Sequence, residues 1–229
     1  MKSISFLCKD EFINFSYDKV FIVGYSGRDI EKTKEHKEHI DELERELGVK
    51  PPSKIPTIFE CSKENVTQDE DLKFVGQKTS GEAEYVILKD KDEIYITIGS
   101  DHTDRALESI SIYKSKQVAL KPIGKEVWKF NDIKEHFDEI KLNSKQVING
   151  KEVEYQKGKL KDKLPVETII EELTKRVGNI DNAIIFSGTV PLHDGFKFGE
   201  KFLAEMIDEK LNRKLRLEYN IEIIKEEEK

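Results

Sequence analysis

The sequence predicts a β-rich α+β fold, on two observations. Apolar or alternating runs of strand length recur along the whole chain, and strands outnumber the segments with a helical period. The 229 residues suffice for one large domain or two small ones, with ~70% or more of the unfolded chain's surface buried. There are no repeats, and no stretch is rich enough in Gly, Ser or Pro to demand a boundary. One domain over 1–229 is therefore expected, with strands at 1–19 and a frayed acidic tail at 225–229.

The elements follow in order. Ser3 to Gly24 reads as short strands: Ile4, Phe6 and Cys8 alternate with polar residues, Phe12 to Phe15 follow a charged turn, and Lys19 to Gly24 is an apolar run buried on both faces. Tyr25 to Asp29 is a turn. Glu31 to Leu47 is the clearest helix, with Ile40, Leu43 and Leu47 on one stripe, Gly48 as its stop and Pro51-Pro52 preventing continuation. Lys50 to Pro56 is an extended connector, and Thr57 to Cys61 a strand. Glu82 to Leu88 and Glu93 to Ile98 are strands joined by a turn at Lys89 to Asp92. Val118 to Leu120 and Glu126 to Phe130 read as short strands, and Asp132 to Glu139 as a surface helix that exposes His136. Asn149-Gly150 marks a hairpin turn. Pro165 to Arg176 is a second helix, with Pro165 near its first position and Gly178 past its end. Ala183 to Phe186 is a buried strand. Phe202 to Ile207 and Leu215 to Ile223 form a last hairpin.

Composition excludes several classes. Hydrophobic and charged residues each make up 37% of the chain, and the recurring strands exclude global disorder. The net charge of −7 argues against nucleic acid or an anionic membrane as the main partner. No apolar run approaches the ~20 residues of a membrane helix, and residues 1–20 lack a signal peptide's apolar region. Cys8 and Cys61 fit neither zinc spacing nor a disulfide framework. They read as two buried thiols in a reducing, cytoplasmic setting.

The informative segment is Ser80 to Arg105. With Lys89 to Asp92 as the turn, Leu88 pairs with Glu93, and Ala83, Tyr85 and Ile87 share an apolar face with Ile94, Ile96 and Ile98. The other face carries Glu82 and Glu84, and Asp101 falls on it at the same end of the hairpin. Like charges ~6 Å apart repel by ~1 to 3 kcal/mol at dielectrics between water and a protein surface. Such a trio needs a cation, a proton or open water. Oxygen ligands without His or Cys suit Mg²⁺, Mn²⁺ or Ca²⁺. Spacing alone favours the plainer reading, a charged solvent face of a hairpin.

The ordered motifs change that balance. Gly-Glu-Ala-Glu (81–84), Ser-Asp-His-Thr-Asp-Arg (100–105), Lys116 followed by Lys-Pro-Ile-Gly (121–124), Ser-Gly-Thr (187–189), Gly199-Glu200 and the opening Val23-Gly24 with Arg28 occur in the order of the fumarylacetoacetate hydrolase-like superfamily. Over about residues 20 to 224 the chain resembles that superfamily, and most closely an uncharacterised family within or beside it. The resemblance implies a mixed β-sandwich roll like the fumarylacetoacetase catalytic domain. It makes Glu82, Glu84 and Asp101 ligands of Mg²⁺ or Mn²⁺, Arg105 a substrate contact, Lys116 a catalytic lysine, and Gly188 with Thr189 the holder of a substrate carboxylate. It implies a small 2-oxo or 1,3-dicarbonyl acid whose carbonyl the metal polarises, stabilising an enolate, with carbon–carbon bond hydrolysis as the first reading. Decarboxylation, dehydration and tautomerisation use the same enolate. A homodimer is expected on the same ground.

Two departures stand out. The family's longer insert between acidic strand and aspartate is replaced by a tight turn. Its catalytic histidine has no counterpart at Ile30. His39 and Glu42, at i and i+3 on the first helix, offer a general base and its orienter, although a solvated histidine on a Lys/Glu-rich helix is equally open. A lost base would leave a non-catalytic metabolite-binding module, and loss of the metal would leave an interaction protein. His102 reads as structural or as a proton-transfer group, and His193 as a turn residue or a rim of the pocket. Asp104 is expected to cap the segment after it, and Trp128 and Tyr155 to belong to core or rim.

Overall fold

Alternation builds the start of the chain. In β1 (Lys2–Cys8) Phe6 and Cys8 point inward, and in β2 (Glu11–Tyr17) Phe15 and Tyr17 do the same. The two pair antiparallel, Phe6 opposite Ile13. β3 (Lys19–Gly24) is buried on both faces, as its continuous apolar run requires, and β4 (Thr57–Cys61) pairs antiparallel with it. The computed structural model describes residues 1–29, 54–91 and 93–224. The predicted helix Glu31–Leu47, its Pro51-Pro52 stop and the tail 225–229 lie outside the described residues.

β5 (Val66–Thr67), β6 (Asp71–Val75) and β7 (Thr79–Ser80) lead to the central hairpin of β8 (Ala83–Asp90) and β9 (Glu93–Ser100). β10 (Thr103–Asp104) pairs back onto β7. Two short helices follow, Arg105–Glu108 and Ile112–Val118, the first capped by the Asp104 carboxylate on the Leu107 N–H at 3.0 Å, as expected. Residues 118–120 are therefore not a strand. Val118 ends a helix, and the next strand is β11 (Lys121–Pro122), beside β5. β12 (Glu126–Lys129) runs into helical turns over Phe130–Ile133 and Lys134–Glu139. These are not a mere surface helix: Ile133, Phe137 and His136 are buried. β13 (Lys141–Ile148) and β14 (Lys151–Lys159) join at Asn149-Gly150, both at positive φ (52° and 73°), as a two-residue hairpin turn requires. The helix Val166–Val177 starts with Pro165 at its cap and stops at Gly178. β15 (Ala183–Phe186), β16 (Lys201–Asp208) and β17 (Arg213–Ile224) complete the chain.

Eight strands form one sheet, in the order β2-β1-β12-β9-β8-β15-β3-β4, and five form a second, β14-β13-β16-β17-β6. The main core lies between the sheets. Tyr85, Ile87, Ile96 and Ile98 from the first meet Leu142, Phe202, Met206, Leu217 and Tyr219 from the second. A smaller core fills the other face of the large sheet with Phe6, Phe15, Ile22, Val86, Leu88, Ile184 and Phe186, and it takes in the free thiols Cys8 and Cys61. Each fully buried large apolar side chain contributes about 1.5–3 kcal/mol. β8 thus faces apolar cores on both sides, and Glu84 is the acid in an otherwise apolar row with Val86 and Leu88. No helix among the described residues is long and apolar enough to cross a membrane.

Candidate metal centre

The hairpin pairs two residues away from the predicted register. Leu88 lies opposite Tyr95, not Glu93, and Asp90 opposite Glu93. A shift of two preserves the faces, since side chains alternate with period two. It also improves the convergence. Ala83 pairs with Ser100, and one step beyond the ladder the Asp101 N–H donates to the Glu82 carbonyl at 3.0 Å. Glu82 therefore stands opposite Asp101. Ligand oxygens of Glu82, Glu84 and Asp101 lie within 4.8 Å of one another. Glu84 is 1% exposed and Asp101 0%, so this is not a solvated hairpin face.

Neighbouring elements bring cations to the acids. The Ile112–Val118 helix delivers Lys116, which bonds Asp101 Oδ2 and lies 3.5 Å from Glu82 Oε2. β11 delivers Lys121, 3.0 Å from Asp101 Oδ1 and donating to the His102 carbonyl at 2.6 Å. Asp101 Oδ1 nevertheless completes no hydrogen bond. Arg105 reaches Glu82 at 3.2 Å, Glu108 at 2.9 Å and the Ser80 hydroxyl at 2.8 Å, while Phe196 covers its guanidinium at 4.5 Å. Phe186 of β15 pairs with Val86. Continuing that register by two residues brings Gly188 opposite Glu84, where the Gly188 N–H donates to Oε2 at 2.8 Å. Gly188 has φ of 91°, and a Cβ there would stand 2.0 Å from Ser26 Oγ, so only glycine fits.

Electrostatics separates the acids. Burial, then Asp101 and Glu82, push the Glu84 carboxyl well above the usual range. Burial acts the same way on Asp101, but Lys116 and Lys121 outweigh it and hold Asp101 down at about 2. Burial opposes the Lys116 charge, and Asp101 and Glu82 more than compensate, raising its pKa.

A cleft of about 1070 Å³ opens on the cluster at Glu82 and is lined by Arg28, Lys163, Thr189, Leu192 and Phe196 among others. Thr189 Oγ donates to the Ala83 carbonyl at 3.1 Å and accepts from Gln156 Nε2 at 2.5 Å. Gln156 also donates to the Val190 carbonyl and accepts from the Ala83 N–H and the Ser144 hydroxyl, so all four of its hydrogen-bonding positions are used.

The structure thus brings together Glu82, Glu84, Asp101, Arg105, Lys116, Gly188 and Thr189. His39, Glu42 and Ile30 lie outside the described residues. His102 is a packing residue: it is buried, stacked on Phe74 at 3.8 Å, and its two ring nitrogens lie within hydrogen-bond distance of Thr79 and Tyr219. Burial, with Lys121 and Arg105, drives its pKa well down, and with both ring nitrogens engaged the packing supports the structural reading. His193 is exposed and does not line the cleft. Trp128 and Tyr155 are core residues. His136, expected in solvent, is 5% exposed and bonds Asp208 at 3.0 Å. Sequence reasoning assigned no role to Lys121, Lys163 or Gln156. Lys121 sat inside a quoted motif, but nothing in the sequence around Lys163 or Gln156 signals burial.

The trio suits a hard divalent ion. Bonds of 2.0–2.1 Å in octahedral geometry separate ligand oxygens by roughly 3 to 4.2 Å, close to the observed spread. An all-carboxylate set fits the same ion, although Lys116 and Lys121 already pair with the two oxygens of Asp101.

Fumarylpyruvate hydrolase from Pseudomonas aeruginosa, solved with Mn²⁺ and pyruvate, superposes with a TM-score of 0.64 at 17% identity, over 99% of this chain and 97% of that one. 2-Keto-3-deoxy-D-arabinonate dehydratase, solved with magnesium and 2,5-dioxopentanoate, gives 0.63 at 19% identity over 96% and 79%. The yeast fumarylacetoacetate hydrolase family protein ynq8 gives 0.62 at 13% identity over 90% and 93%. The fold is therefore the one these proteins share, as the motif order implied. No curated protein matches the chain. A family model described as a protein of unknown function, DUF2848, matches residues 23–219. That span is most of the chain, and the protein belongs to the DUF2848 family.

Proposed function

We propose that this protein is a metal-dependent enzyme acting on a small 2-oxo or 1,3-dicarbonyl acid, with hydrolysis of a carbon–carbon bond as its reaction. The observation that carries the reading is the trio of Glu82, Glu84 and Asp101, with oxygens within 4.8 Å, reached from a cleft that Glu82 lines. These residues would hold Mg²⁺ or Mn²⁺. Once bound, the ion supplies positive charge that polarises a substrate carbonyl and stabilises negative charge developing on its oxygen. Arg105 and Lys116, already paired with Glu82, position anionic substrate oxygens beside the acids. Thr189 lines the cleft and would take a substrate carboxylate by exchanging its hydroxyl's bond to the Ala83 carbonyl for one to the substrate. Phe196 and Leu192 wall the cleft and limit water. His39, oriented by Glu42, is the proposed base for the attacking water. Dehydration or decarboxylation at the same residues is the second reading, favoured by the likeness to a dehydratase. The same proposal takes residues 1–229 as one domain, working as a homodimer in the cytoplasm. Sedimentation velocity tests the dimer, and the two unpaired thiols support the compartment.

Titration calorimetry with Mn²⁺ and oxalate, an enolate mimic, tests the proposal. Wild type should bind both, and Glu84→Gln should bind Mn²⁺ at least about 100-fold more weakly, beyond what outer-shell changes do. Equal binding by the two proteins overturns the metal assignment.

A further inference from the structure

The cleft holds a buried cation for which the proposed reaction has yet no task. Lys163 is 7% exposed and lines the cleft alongside Glu82, Thr189 and Phe196. Its backbone is fixed: its N–H donates to the Leu160 carbonyl at 3.0 Å, its carbonyl accepts from Arg28 Nε at 2.9 Å, and it bridges to Gly27. Its ammonium donates to the Thr189 carbonyl at 2.7 Å, one residue beyond the glycine that holds Glu84.

Four other cations of this region are neutralised, and Lys161, which also lines the cleft, is exposed to solvent. Arg105 meets Glu82 and Glu108, Lys116 meets Asp101 and Glu82, Lys121 meets Asp101, and Arg28 forms a fork on Asp138. Lys163 has no carboxylate within ion-pair distance among the described residues. A buried ammonium without a counter-ion is disfavoured as a charge and gives up its proton readily.

Resting on the function proposed above, we infer that Lys163 is the residue that delivers and removes the proton at the substrate carbon next to the polarised carbonyl. The step balances without a co-reactant. An N–H bond of the Lys163 ammonium breaks and a C–H bond forms from the carbon–carbon π pair of the enolate. The oxygen's extra pair returns to the carbonyl, and neutral lysine remains. The reverse step removes the same proton. Hydrolysis, decarboxylation and tautomerisation all handle this carbon-bound proton, whereas activation of water is a separate task.

The surroundings suit the role. Glu84 of β8 and Glu82 just before that strand act on Lys163 through their charge, Asp162 and Lys161 flank it on its own turn, and Arg28 and Asp29 lie on the loop after β3. Burial lowers its pKa to about 8 against the pull of Glu84, Glu82 and Asp162. That value lies near neutrality, where a proton carrier works in both directions.

The experiment uses three readouts on full-length wild type, Lys163→Met and Lys163→Arg. Calorimetry with Mn²⁺ and oxalate reports the metal site. Proton NMR of pyruvate in D₂O with Mg²⁺ reports exchange of the methyl protons across pH. ¹³C labelling at lysine Cε, without metal, reports the titration of the one resonance missing from Lys163→Met. Wild type should bind Mn²⁺ and oxalate and exchange pyruvate. Lys163→Met should bind equally, which also shows that it is folded, and exchange at least about 100-fold more slowly, within the range for a lost general acid–base. The assigned resonance should titrate near 8. The inference is overturned if Lys163→Met exchanges like wild type, if Lys163→Arg restores wild-type exchange and pH profile, since charge alone then suffices, or if the resonance titrates like a surface lysine. Wild type that binds Mn²⁺ and oxalate without exchanging pyruvate overturns the Lys163 role alone. Wild type that binds neither overturns the metal reading and this one with it.

Discussion

At Asp208 one buried carboxylate meets complementary partners; at Glu82, Glu84 and Asp101 three carboxylates converge on each other. Asp208 accepts from the Leu211 N–H at 3.1 Å and from Arg213 Nε at 3.1 Å, and lies 3.0 Å from His136 Nε2. Arg213 in turn covers Trp128 at 4.6 Å. Burial pushes the Asp208 pKa up, and these partners more than reverse it. Arg213 Nη2 is buried there without a hydrogen-bond partner, but it is a donor and offers nothing to a cation. In the trio, Asp101 is compensated and Glu84 is not, so the two acids move in opposite directions. A charge buried for stability is surrounded by its complement, whereas one buried for binding is left in need of something.

The largest effect that sharpens this contrast is expected at the first cluster. Asp208→Asn removes the charge that Arg213 and His136 share and should destabilise by roughly 3 kcal/mol, a fall of about 10 °C in melting temperature for a chain of this size. Mn²⁺ affinity should not change; a loss there would merge the two clusters. Next comes acid. A carboxyl held at about 2 instead of the usual 3.8 contributes on the order of 2 kcal/mol. Because the folded value is depressed, this stability is present above about pH 4 and is lost as pH falls through about 2. Urea unfolding in EDTA should show wild type losing that increment between pH 5 and pH 2, and Asp101→Asn lacking it. Asp104→Ala removes the cap that starts the Arg105 helix and should cost about 1 kcal/mol, read from the same urea curves. Smallest of all is Glu84→Gln in EDTA. The folded pKa of Glu84 is raised, so its charged form destabilises the fold as pH rises above the ordinary carboxylate range. Gln should not lower the melting temperature at pH 8. A clear drop would place Glu84 with Asp208, as a structural charge.

What the sequence made legible has a common physical cause. The convergence of Glu82, Glu84 and Asp101 followed from strand alternation, which survives a register error of two. β15, the Asn149-Gly150 turn and the Val166–Val177 helix were legible because local chemistry specifies them. The missing parts depend on distant partners. β6 pairs in parallel with the end of β17, with no connecting turn to mark it. His136 looks solvated beside its charged neighbours, and only Asp208, 72 residues on, explains its burial. Lys121 and Lys163 read as ordinary surface lysines until the sheets close over them. The Ile112–Val118 helix exposes Tyr113 and Val118, so its apolar pattern points to no single face.

The Gln156 side chain joins the acid strand at Ala83 to the cleft wall at Thr189 and Val190. Its amide is rigid, so displacement on either side is felt on the other. If an ion on the strand steadies the wall through this amide, a guest seated against the wall must tighten the grip on the ion by the same factor, as thermodynamic reciprocity demands.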